Sequence, residues 1–326
     1  MTFFYLAHTF LYTGSVPDVE VSEGEYPTWI TQENGKRVPV VQTYAFTKYL
    51  GNLELEFNDE GNLVQLDGKP ILLDSSIAED AEVLRLTDRY RPKVAKIGAD
   101  VIGTTSVFLD GICRRQECNL GNLITDSMLA FGSSYGNFSN SCSNPLLAIM
   151  EGGGIRGSIS YDKYSFGQIA MEDVEMVVPF KNKIAIVEMS GKTMREVLEH
   201  SVHLYTNGEK RGEFLQVSEN LQVTYDMSKP SLGGRVEKVK VSCADTFEDL
   251  DDDKTYKVVM TEYLANGGDG YDILKEQAAE KTEALDIYVL LKYFKEKSPV
   301  SPMVEGRITI KFNQAVETIL ITLNEA

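Results

Sequence analysis

The sequence LLAIMEGGGIR, residues Leu146–Arg156, joins an apolar run to three consecutive glycines and an arginine. The apolar run predicts a buried strand, since a strand that is covered on both faces has no polar positions. Glycine has no Cβ, so the backbone N–H groups of Gly152–Gly154 can approach an anion closely, and Arg156 adds a permanently charged guanidinium. We therefore predict that the strand ends at an anion-binding turn. By spacing alone, an ordinary tight turn is the alternative.

A second glycine-rich segment, Asn266–Gly270, has the sequence NGGDG and is flanked by Tyr263 and Tyr271. An acid on a flexible loop beside aromatic rings suits a ribose, because Asp269 can accept hydrogen bonds from vicinal hydroxyls while a ring stacks on the base. An acidic β-turn is the alternative interpretation of this segment when it is taken alone.

The composition of the chain is that of a globular protein with an excess of acid. Its 326 residues are 43% hydrophobic and include 32 basic against 49 acidic residues, which gives a formal net charge of −17. Nucleic acids and anionic membrane surfaces both require clustered cations, so this balance argues against either partner. No run reaches the roughly 18 apolar residues that a membrane span needs, and Met1–Ala7 lacks the basic start and the cleavage site of a secretion signal. The length predicts two domains.

Hydrophobic periodicity predicts a mixture of strands and helices. Residues 1–77 have the short β-branched and aromatic runs of strands and turns, and residues 79–99 have the spacing of an amphipathic connector helix, which Pro92 is expected to kink or divide. The acidic segment Asp245–Asp253 lacks EF-hand spacing and predicts a solvated loop. Further strands are predicted at Val38–Tyr44, Leu53–Phe57, Leu63–Leu66, Thr104–Leu109, Leu146–Met150, Lys183–Met189, Val236–Val241, Tyr256–Thr261 and Arg307–Phe312, and helices at Asn119–Phe131, Thr193–Leu204 and Ile287–Phe294.

Two of the four cysteines, Cys113 and Cys118, lie close enough in the sequence to close a small loop. A disulfide that rigidifies a binding loop and a pair of reduced thiols are equally consistent with that spacing. The glycosylation sequon Asn137-Phe138-Ser139 weakly favours secretion. Cys142 and Cys243 have no near neighbour in the sequence.

Taken together, these segments resemble the C-terminal, substrate-binding domain of the 5′-nucleotidase family, which includes ecto-5′-nucleotidases, secreted apyrases of blood-feeding arthropods and bacterial UDP-sugar hydrolases. Upstream, HTFLYTG (His8–Gly14) and PVVQTYAFTKYLG (Pro39–Gly51) are similar to the closing segment of the family's N-terminal metallophosphatase domain. The resemblance covers nearly the whole chain in order. Its C-terminal part is carried by CRRQECNLGNLITDSM (Cys113–Met128), GGGIR (Gly152–Arg156), VPF (Val178–Phe180), EHSVH (Glu199–His203), GEFLQV (Gly212–Val217), YLANGGDG (Tyr263–Gly270) and VEGRI (Val304–Ile308).

The resemblance implies a mixed α/β fold of the α+β type. Residues 1–77 are expected to be the truncated end of an α/β/β/α metallophosphatase domain, and residues 78–102 a linker helix. Residues 103–313 are expected to form the nucleotide-binding domain, and residues 314–326 a tail.

The resemblance also implies a set of substrate-binding residues. In the family, two aromatic rings sandwich the base, an acid binds the ribose, and arginines contact the phosphate or the ribose. Glu151 replaces the asparagine that relatives of the vertebrate ecto-enzyme have before the triple glycine, and a carboxylate there repels a phosphate unless a cation or a proton intervenes. The corresponding residues are Phe180 and Tyr263 (a tyrosine where phenylalanine is more usual) for the rings, Asp269 for the ribose, Arg114 and Arg156 for the phosphate or ribose, and Glu151, Gly153 and Gly154 in the same pocket.

The same resemblance implies two divalent metals, such as Zn²⁺, on the N-terminal domain. Only His8 falls on a ligand position of that site, and Leu6 stands where another histidine ligand is expected. His200 and His203 lie in the family's EHSVH helix, where packing and surface roles are favoured over metal binding. Since one histidine cannot hold two ions, we expect this chain to bind no metal tightly and to have no catalytic residue of its own.

The expected function is therefore that of the nucleotide-binding portion of a 5′-nucleotidase or apyrase, which removes phosphate from extracellular nucleotides. The chain by itself is expected to bind a nucleotide or nucleoside of the adenine type without hydrolysing it. The resemblance further implies secretion and a Cys113–Cys118 disulfide, and it admits a homodimer. The alternative is a short, non-catalytic paralogue that sequesters nucleotides or binds proteins.

Overall fold

The computed structural model describes residues 9–18, 21–136, 145–161, 167–206, 211–231, 233–243 and 246–312, without the side chain of Cys243. The chain divides into two compact units, Met1–Tyr90 and Arg91–Ala326, and the division falls inside helix α1 (Ala81–Gly98). His8, Cys142 and the sequon that begins at Asn137 lie outside the described residues.

The first unit contains two antiparallel hairpins. Strand β1 (Thr28–Thr31) pairs with β2 (Arg37–Val40), and β3 (Tyr49–Phe57) pairs with β4 (Leu63–Leu72). Gly61 has a φ of 75° in the turn between β3 and β4, a conformation that glycine adopts without strain. The first predicted strand ends earlier than expected, at Val40, while the next two lie within the longer strands β3 and β4. A small core holds the unit together: Leu11, Tyr26, Val40 and Val41.

Helix α1 continues through Pro92 as one helical segment, so the proline does not divide it as expected. A proline removes one N–H donor and leaves one carbonyl without its helical partner. None of the residues of α1 is buried, so water can solvate that carbonyl. No helix in the described ranges is both long and apolar enough to cross a membrane.

In the described residues, the strands of the second unit form three sheets. The strands are β5 (Val101–Thr104), β6 (Leu146–Glu151), β7 (Gln168–Ala170), β8 (Lys183–Ser190), β9 (Leu215–Val217), β10 (Leu221–Asp226), β11 (Val236–Cys243), β12 (Thr246–Asp249), β13 (Thr255–Thr261), β14 (Ala278–Leu285) and β15 (Ile308–Lys311). A five-stranded sheet has the order β14-β8-β13-β6-β9, in which β6 and β13 are parallel and the other neighbours are antiparallel. A four-stranded sheet has the order β12-β11-β10-β15, and β5 pairs with β7.

Both faces of the five-stranded sheet are covered, which explains why β6 is buried along its whole length. Alternate residues of a strand point to opposite faces. Leu147 and Ile149 accordingly join a core with helix α4 (Gly191–Ser201) and the four-stranded sheet. Leu146, Ala148 and Met150 join a core with helices α2 (Asn119–Tyr135) and α6 (Asp286–Lys297). The mixed α/β fold expected from the sequence is confirmed. The helices of this unit are α2 (Asn119–Tyr135), α3 (Met171–Val177), α4 (Gly191–Ser201), α5 (Glu262–Ala265) and α6 (Asp286–Lys297).

Two of the elements predicted for the second unit differ from the structure, which also has strands that were not predicted, among them β9, β10 and β14. The strand predicted at Thr104–Leu109 is wrong, because β5 ends at Thr104 and only isolated bridges follow. The Thr105 hydroxyl donates to the carbonyl of Val107 at 2.8 Å, a local turn that competes with the ladder. The acidic segment predicted as a loop contains β12, whose four residues are all exposed. An edge strand with polar side chains on both faces has no hydrophobic alternation to reveal it.

Candidate functional site

A cleft of about 530 Å³ opens where the parallel strands β6 and β13 end. The carboxyl ends of parallel strands meet at one edge of a sheet, and ligands in α/β folds commonly bind there. All eight pocket residues expected from the sequence line this cleft, together with two that were not assigned. The lining residues are Arg114, Glu151, Gly153, Gly154, Arg156, Phe180, Asn182, Gly212, Tyr263 and Asp269.

The triple glycine forms a single 3-10 turn, Gly152–Gly154, directly after β6. The Gly152 N–H donates to Phe214 O at 2.7 Å, and the Gly153 N–H donates to Gly212 O at 2.8 Å. A Cβ on Gly153 would lie 3.1 Å from the Gly212 Cα, so the glycine permits a close approach of two backbones. The prediction that these N–H groups face an anion is therefore wrong for Gly152 and Gly153, whose donors are used within the fold.

Two arginine side chains supply the positive charge of the cleft. Arg114 Nη2 lies 3.5 Å from Gly153 O, and Arg156 Nη1 donates to the same oxygen at 3.2 Å. Burial lowers the pKa of Arg114, the charge of Arg156 lowers it further, and Asp269 opposes both effects. The two guanidinium groups thus converge on one carbonyl, with most of their donors left for a ligand.

The loop that carries Arg114 is anchored along its whole length. Cys113 and Cys118 form a disulfide with a Cα–Cα distance of 5.2 Å. Four consecutive carbonyls of the loop accept hydrogen bonds from outside it: Cys113 and Gln116 from Gln216 Nε2 at 2.9 and 2.8 Å, Arg114 from Arg211 N at 2.9 Å, and Arg115 from Tyr205 Oη at 2.8 Å. Arg114 therefore projects from a backbone with little freedom to move.

Two exposed rings form the apolar part of the cleft. Phe180 is 58% and Tyr263 44% exposed, a large fraction for aromatic side chains. The Arg156 guanidinium lies 5.7 Å from the centroid of the Phe180 ring, within the range of a cation–π contact. Both rings offer a face on which a planar ligand could stack.

Asp269 is fixed by its neighbours in a backbone conformation that is unusual for a non-glycine residue. Its φ is 51°, between Gly267 at 83° and Gly270 at 82°. Tyr263 Oη donates to Asp269 Oδ1 at 2.9 Å and accepts from the Asp269 N–H at 3.2 Å. Burial and the hydrogen bond to Asp269 raise the pKa of Tyr263, so its hydroxyl remains a donor at neutral pH.

Glu151 lies at the base of the cleft, only 2% exposed. Both of its carboxyl oxygens contact Thr261 Oγ1, at 3.3 and 3.2 Å. Burial, with smaller contributions from the charges of Asp269 and Asp286, raises the pKa of Glu151 to about 8. At neutral pH the side chain is therefore a neutral acid, and the repulsion of a phosphate expected for a carboxylate at this position is removed by a proton.

Asn182 and Gly212 line the cleft but were not assigned to it from the sequence. Two hydrogen bonds join the Asn182 backbone to Asp286. The Asn182 N–H donates to Asp286 Oδ2 at 3.1 Å, and the Asp286 N–H donates to Asn182 O at 2.8 Å. Burial raises the pKa of Asp286 to about 6. Two features of the sequence could have pointed to these residues: Asn182 follows Phe180 by two residues, and Gly212 is the first residue of the GEFLQV string.

The described residues do not fit the two-metal site that the resemblance implies. No three His, Cys, Asp or Glu side chains among them gather into a group that could hold a metal ion, and His8 is not among the described residues. The His200 and His203 rings are stacked on each other, 4.2 Å apart. His200 Nε2 bonds to Asp269 O at 2.9 Å, and His203 Nδ1 to His200 O at 2.6 Å, so both side chains have structural partners.

Comparison with known proteins identifies the family to which this chain is similar. The family model described as "5'-nucleotidase, C-terminal domain" matches residues 101–276. The 5'-nucleotidase of Mus musculus is 41% identical over 319 residues, covering 95% of this chain and 54% of the relative. That of Homo sapiens is 40% identical over 312 residues, covering 93% and 53%. The crystal structure of a 5'-nucleotidase precursor from Thermus thermophilus superposes with a TM-score of 0.73 at 35% identity, covering 93% of this chain and 57% of the other. The chain thus spans about half the length of these relatives.

Proposed function

The chain belongs to the 5′-nucleotidase family, and on that premise we propose that the cleft at the end of β6 is a nucleotide-binding site. The observation that supports this most directly is the presence, in one cleft, of two exposed rings, two arginines and an acid from separate segments. Phe180 and Tyr263 stack on the base, Asp269 accepts hydrogen bonds from the ribose hydroxyls, and Arg114 and Arg156 bind the phosphate.

The charges of the cleft fit an anionic ligand, although the chain as a whole is strongly acidic. Arg114 and Arg156 are cationic, Asp269 is the ribose acceptor, and Glu151 is neutral below about pH 8 because of its raised pKa. The cleft therefore has a net positive charge at neutral pH, and a phosphate that approaches it is attracted locally despite the net charge of −17 on the chain.

The reaction of the whole protein is proposed to be removal of phosphate from extracellular nucleotides, with metals held outside the described residues. The family is generally dependent on divalent metals, and the part of the chain that the structure describes does not gather ligands for them. We therefore expect this chain to bind nucleotide, preferably of the adenine type, without hydrolysing it. Residues 1–77 are proposed to be the end of the metal-binding domain, 78–102 the linker and 103–313 the nucleotide-binding domain, in a protein that is secreted and forms a homodimer.

A short, non-catalytic paralogue that sequesters nucleotides is the second candidate. The residues of the cleft are sufficient for this function, because two rings, two arginines and an acid can stack on and pair with a nucleotide without any metal. The transcript upstream of Met1 distinguishes the two candidates. An open reading frame with metal-ligand motifs supports the hydrolase, and an in-frame stop supports the paralogue.

Calorimetric titration of the chain with AMP, adenosine and ribose 5-phosphate tests the binding site. Replacement of Phe180 by alanine is expected to weaken AMP and adenosine alike, by about 1–3 kcal/mol for a lost stacking contact. Replacement of Arg156 by alanine should weaken AMP by about 1.5–3 kcal/mol for a lost charged hydrogen bond, and adenosine far less. Phe247→Ala, an exposed aromatic on β12, and Arg195→Ala, an arginine that bonds to Asp252, are the matched controls.

The absence of binding to any of the three ligands would refute the proposed site. Hydrolysis is tested separately by phosphate release from AMP and ADP with added Zn²⁺ or Mg²⁺. Release that EDTA abolishes would show that the chain is active alone, contrary to our expectation, without affecting the conclusion about binding. Sedimentation analysis determines whether the chain forms the proposed homodimer.

A further inference from the structure

The loop that presents Asp269 requires support from outside itself. A non-glycine residue in the left-handed region is strained, and surrounding contacts must hold it there. Asp269 has a φ of 51°, and its carboxylate and N–H both bond to Tyr263 Oη. Its carbonyl is held by a different residue from a distant segment, His200 on α4, whose Nε2 lies 2.9 Å from Asp269 O.

We infer that His200 is a positioning residue for ribose recognition, because its Nε2–H fixes the carbonyl, and through it the carboxylate orientation, of Asp269. The inference rests on the proposed function, in which Asp269 binds the ribose. A carbonyl oxygen only accepts hydrogen bonds, so Nε2 of His200 carries the proton. An imidazole with a proton on Nε2 and a fully protonated imidazolium both have this donor, so either form of His200 can hold the loop.

The His200 ring has a single orientation because packing fixes it on two sides. The His203 ring stacks on it at 4.2 Å and an angle of 21°, and the Tyr271 ring meets it edge-on at 4.3 Å and 64°. Tyr271 is fully buried and its hydroxyl donates to Glu213 O, so it is itself immobile. A rigid donor holds a strained loop better than a mobile one, because little side-chain entropy is lost when the bond forms.

Helix α4 in turn gives His200 a fixed base. The preceding residue, Glu199, accepts N–H bonds from Arg235 at 2.6 Å and Val236 at 3.0 Å, which tie the helix end to β11. His203 Nδ1 bonds to His200 O at 2.6 Å and closes the helix end. The His200 ring also packs against the loop itself, since a Cβ on Gly270 would lie 3.2 Å from Cε1 and 3.3 Å from Nε2.

The position of the Asp269 carboxylate explains why this support matters for a ligand. Oδ1 already accepts from Tyr263 Oη. Oδ2 lies towards the paired glycines of the cleft, 3.4 Å from a Cβ built on Gly153 and 3.7 Å from one on Gly212. If the carbonyl bond is lost, the strained loop relaxes, and Oδ2 turns away from the vicinal hydroxyls that it would accept from.

Calorimetry with AMP and 2′,3′-dideoxy-AMP, which lacks the ribose hydroxyls, tests the inference on the full chain. We expect His200→Phe, which keeps the ring and removes the donor, to reduce the preference for AMP over the dideoxy analogue by about fivefold or more, as for a hydrogen bond to a charged group. Affinity for the dideoxy analogue should stay within about twofold of the wild-type value, because the analogue makes no use of the ribose acceptor. His200→Gln, whose amide can reach the carbonyl, should restore most of the preference.

His203→Phe is the matched control, because that residue stacks on His200 and bonds to the helix end rather than to the loop. It should keep the wild-type preference, because phenylalanine retains the ring that stacks on His200 and the bonds of Glu199 to Arg235 and Val236 still hold the helix end. If the helix end had only a structural role, the preference would change in both variants. A wild-type preference in His200→Phe overturns the inference alone. Equal affinity of the wild type for the two ligands, or no binding of either, overturns the proposed function and the inference with it. If His200→Phe does not fold, His200→Gln and His200→Asn are compared instead. The asparagine side chain is one methylene too short for the bond and should lose the preference for AMP over the dideoxy analogue. An equal preference in the two variants would overturn the inference.

Discussion

Glu151→Gln is expected to stabilise the second unit in a strongly pH-dependent way. Glu151 is 2% exposed, and burial raises its pKa from the ordinary 4.5 to about 8. The unfolded chain therefore releases this proton at lower pH than the folded chain does. The sign follows from linkage: the free energy of unfolding is unaffected by this group below about pH 4.5, falls as the pH rises from there to about 8, and then levels off. Glutamine has nearly the same shape and no proton to lose.

The size of the effect can be worked out from the two pKa values. One pKa unit corresponds to about 1.36 kcal/mol, so the group destabilises the fold by about 0.8 kcal/mol at pH 5, about 3 kcal/mol at pH 7 and about 5 kcal/mol at pH 9. The stability difference between Glu151→Gln and the wild type should therefore grow by about 4 kcal/mol between pH 5 and pH 9. Taking the difference cancels the titration of groups that do not interact with Glu151. Asp286, whose pKa is raised to about 6, does interact with Glu151, but its charge makes only a small contribution to the raised pKa of Glu151.

Urea unfolding followed by far-UV circular dichroism at pH 5, 7 and 9 measures this difference. The single tryptophan, Trp29, lies in the first unit, so its fluorescence reports on the unit that the substitution should leave unchanged. Glu196→Gln, an exposed glutamate on α4, is the matched control and should show no such trend. A stability difference that is constant across the three pH values would mean that Glu151 is ionised in the folded chain, and would refute the reasoning.

Three further changes test other parts of the cleft. Tyr263→Phe keeps the stacking ring but removes the donor to Asp269 Oδ1, and calorimetry should show AMP weakened by about threefold to tenfold; unchanged affinity would mean that the hydroxyl has no positioning effect. Gln216→Leu leaves one buried carbonyl (Cys113) and one partly buried carbonyl (Gln116) without this donor, and one buried N–H without an acceptor. Urea unfolding should show a loss of about 2–4 kcal/mol, and a loss below about 1 kcal/mol would contradict the reasoning. Paired Cys113→Ser and Cys118→Ser should change AMP affinity less than Gln216→Leu does, because the loop carbonyls keep their outside donors, and the opposite order would show that the disulfide dominates.

The sequence was sufficient to predict eight of the ten residues that line the cleft, but not their individual contacts. Eight residues assigned to one pocket do line it, because their segments are those of a family with a fixed topology. The use of the glycine N–H groups was predicted wrongly, since their partner is the backbone of Gly212 and Phe214, which lie far away in the sequence. Asn182 was missed for a related reason. Its backbone bonds to Asp286, which is distant in the sequence, so only the folded chain brings Asn182 to the cleft.

The state of Glu151 shows how a substitution that is unfavourable by residue type becomes compatible with the site. An ionised carboxylate repels a phosphate, and this repulsion is what the residue type alone predicts for Glu151. The fold buries the side chain at the end of β6, and the negative charge of Asp269 adds to the cost of a second negative charge. The acid that is proposed to bind the ribose thus helps to keep the acid below it neutral. As a neutral carboxylic acid, Glu151 has one donor and one carbonyl-like acceptor, which are the kinds of hydrogen-bonding group that asparagine, the residue expected at this position from the resemblance, also has.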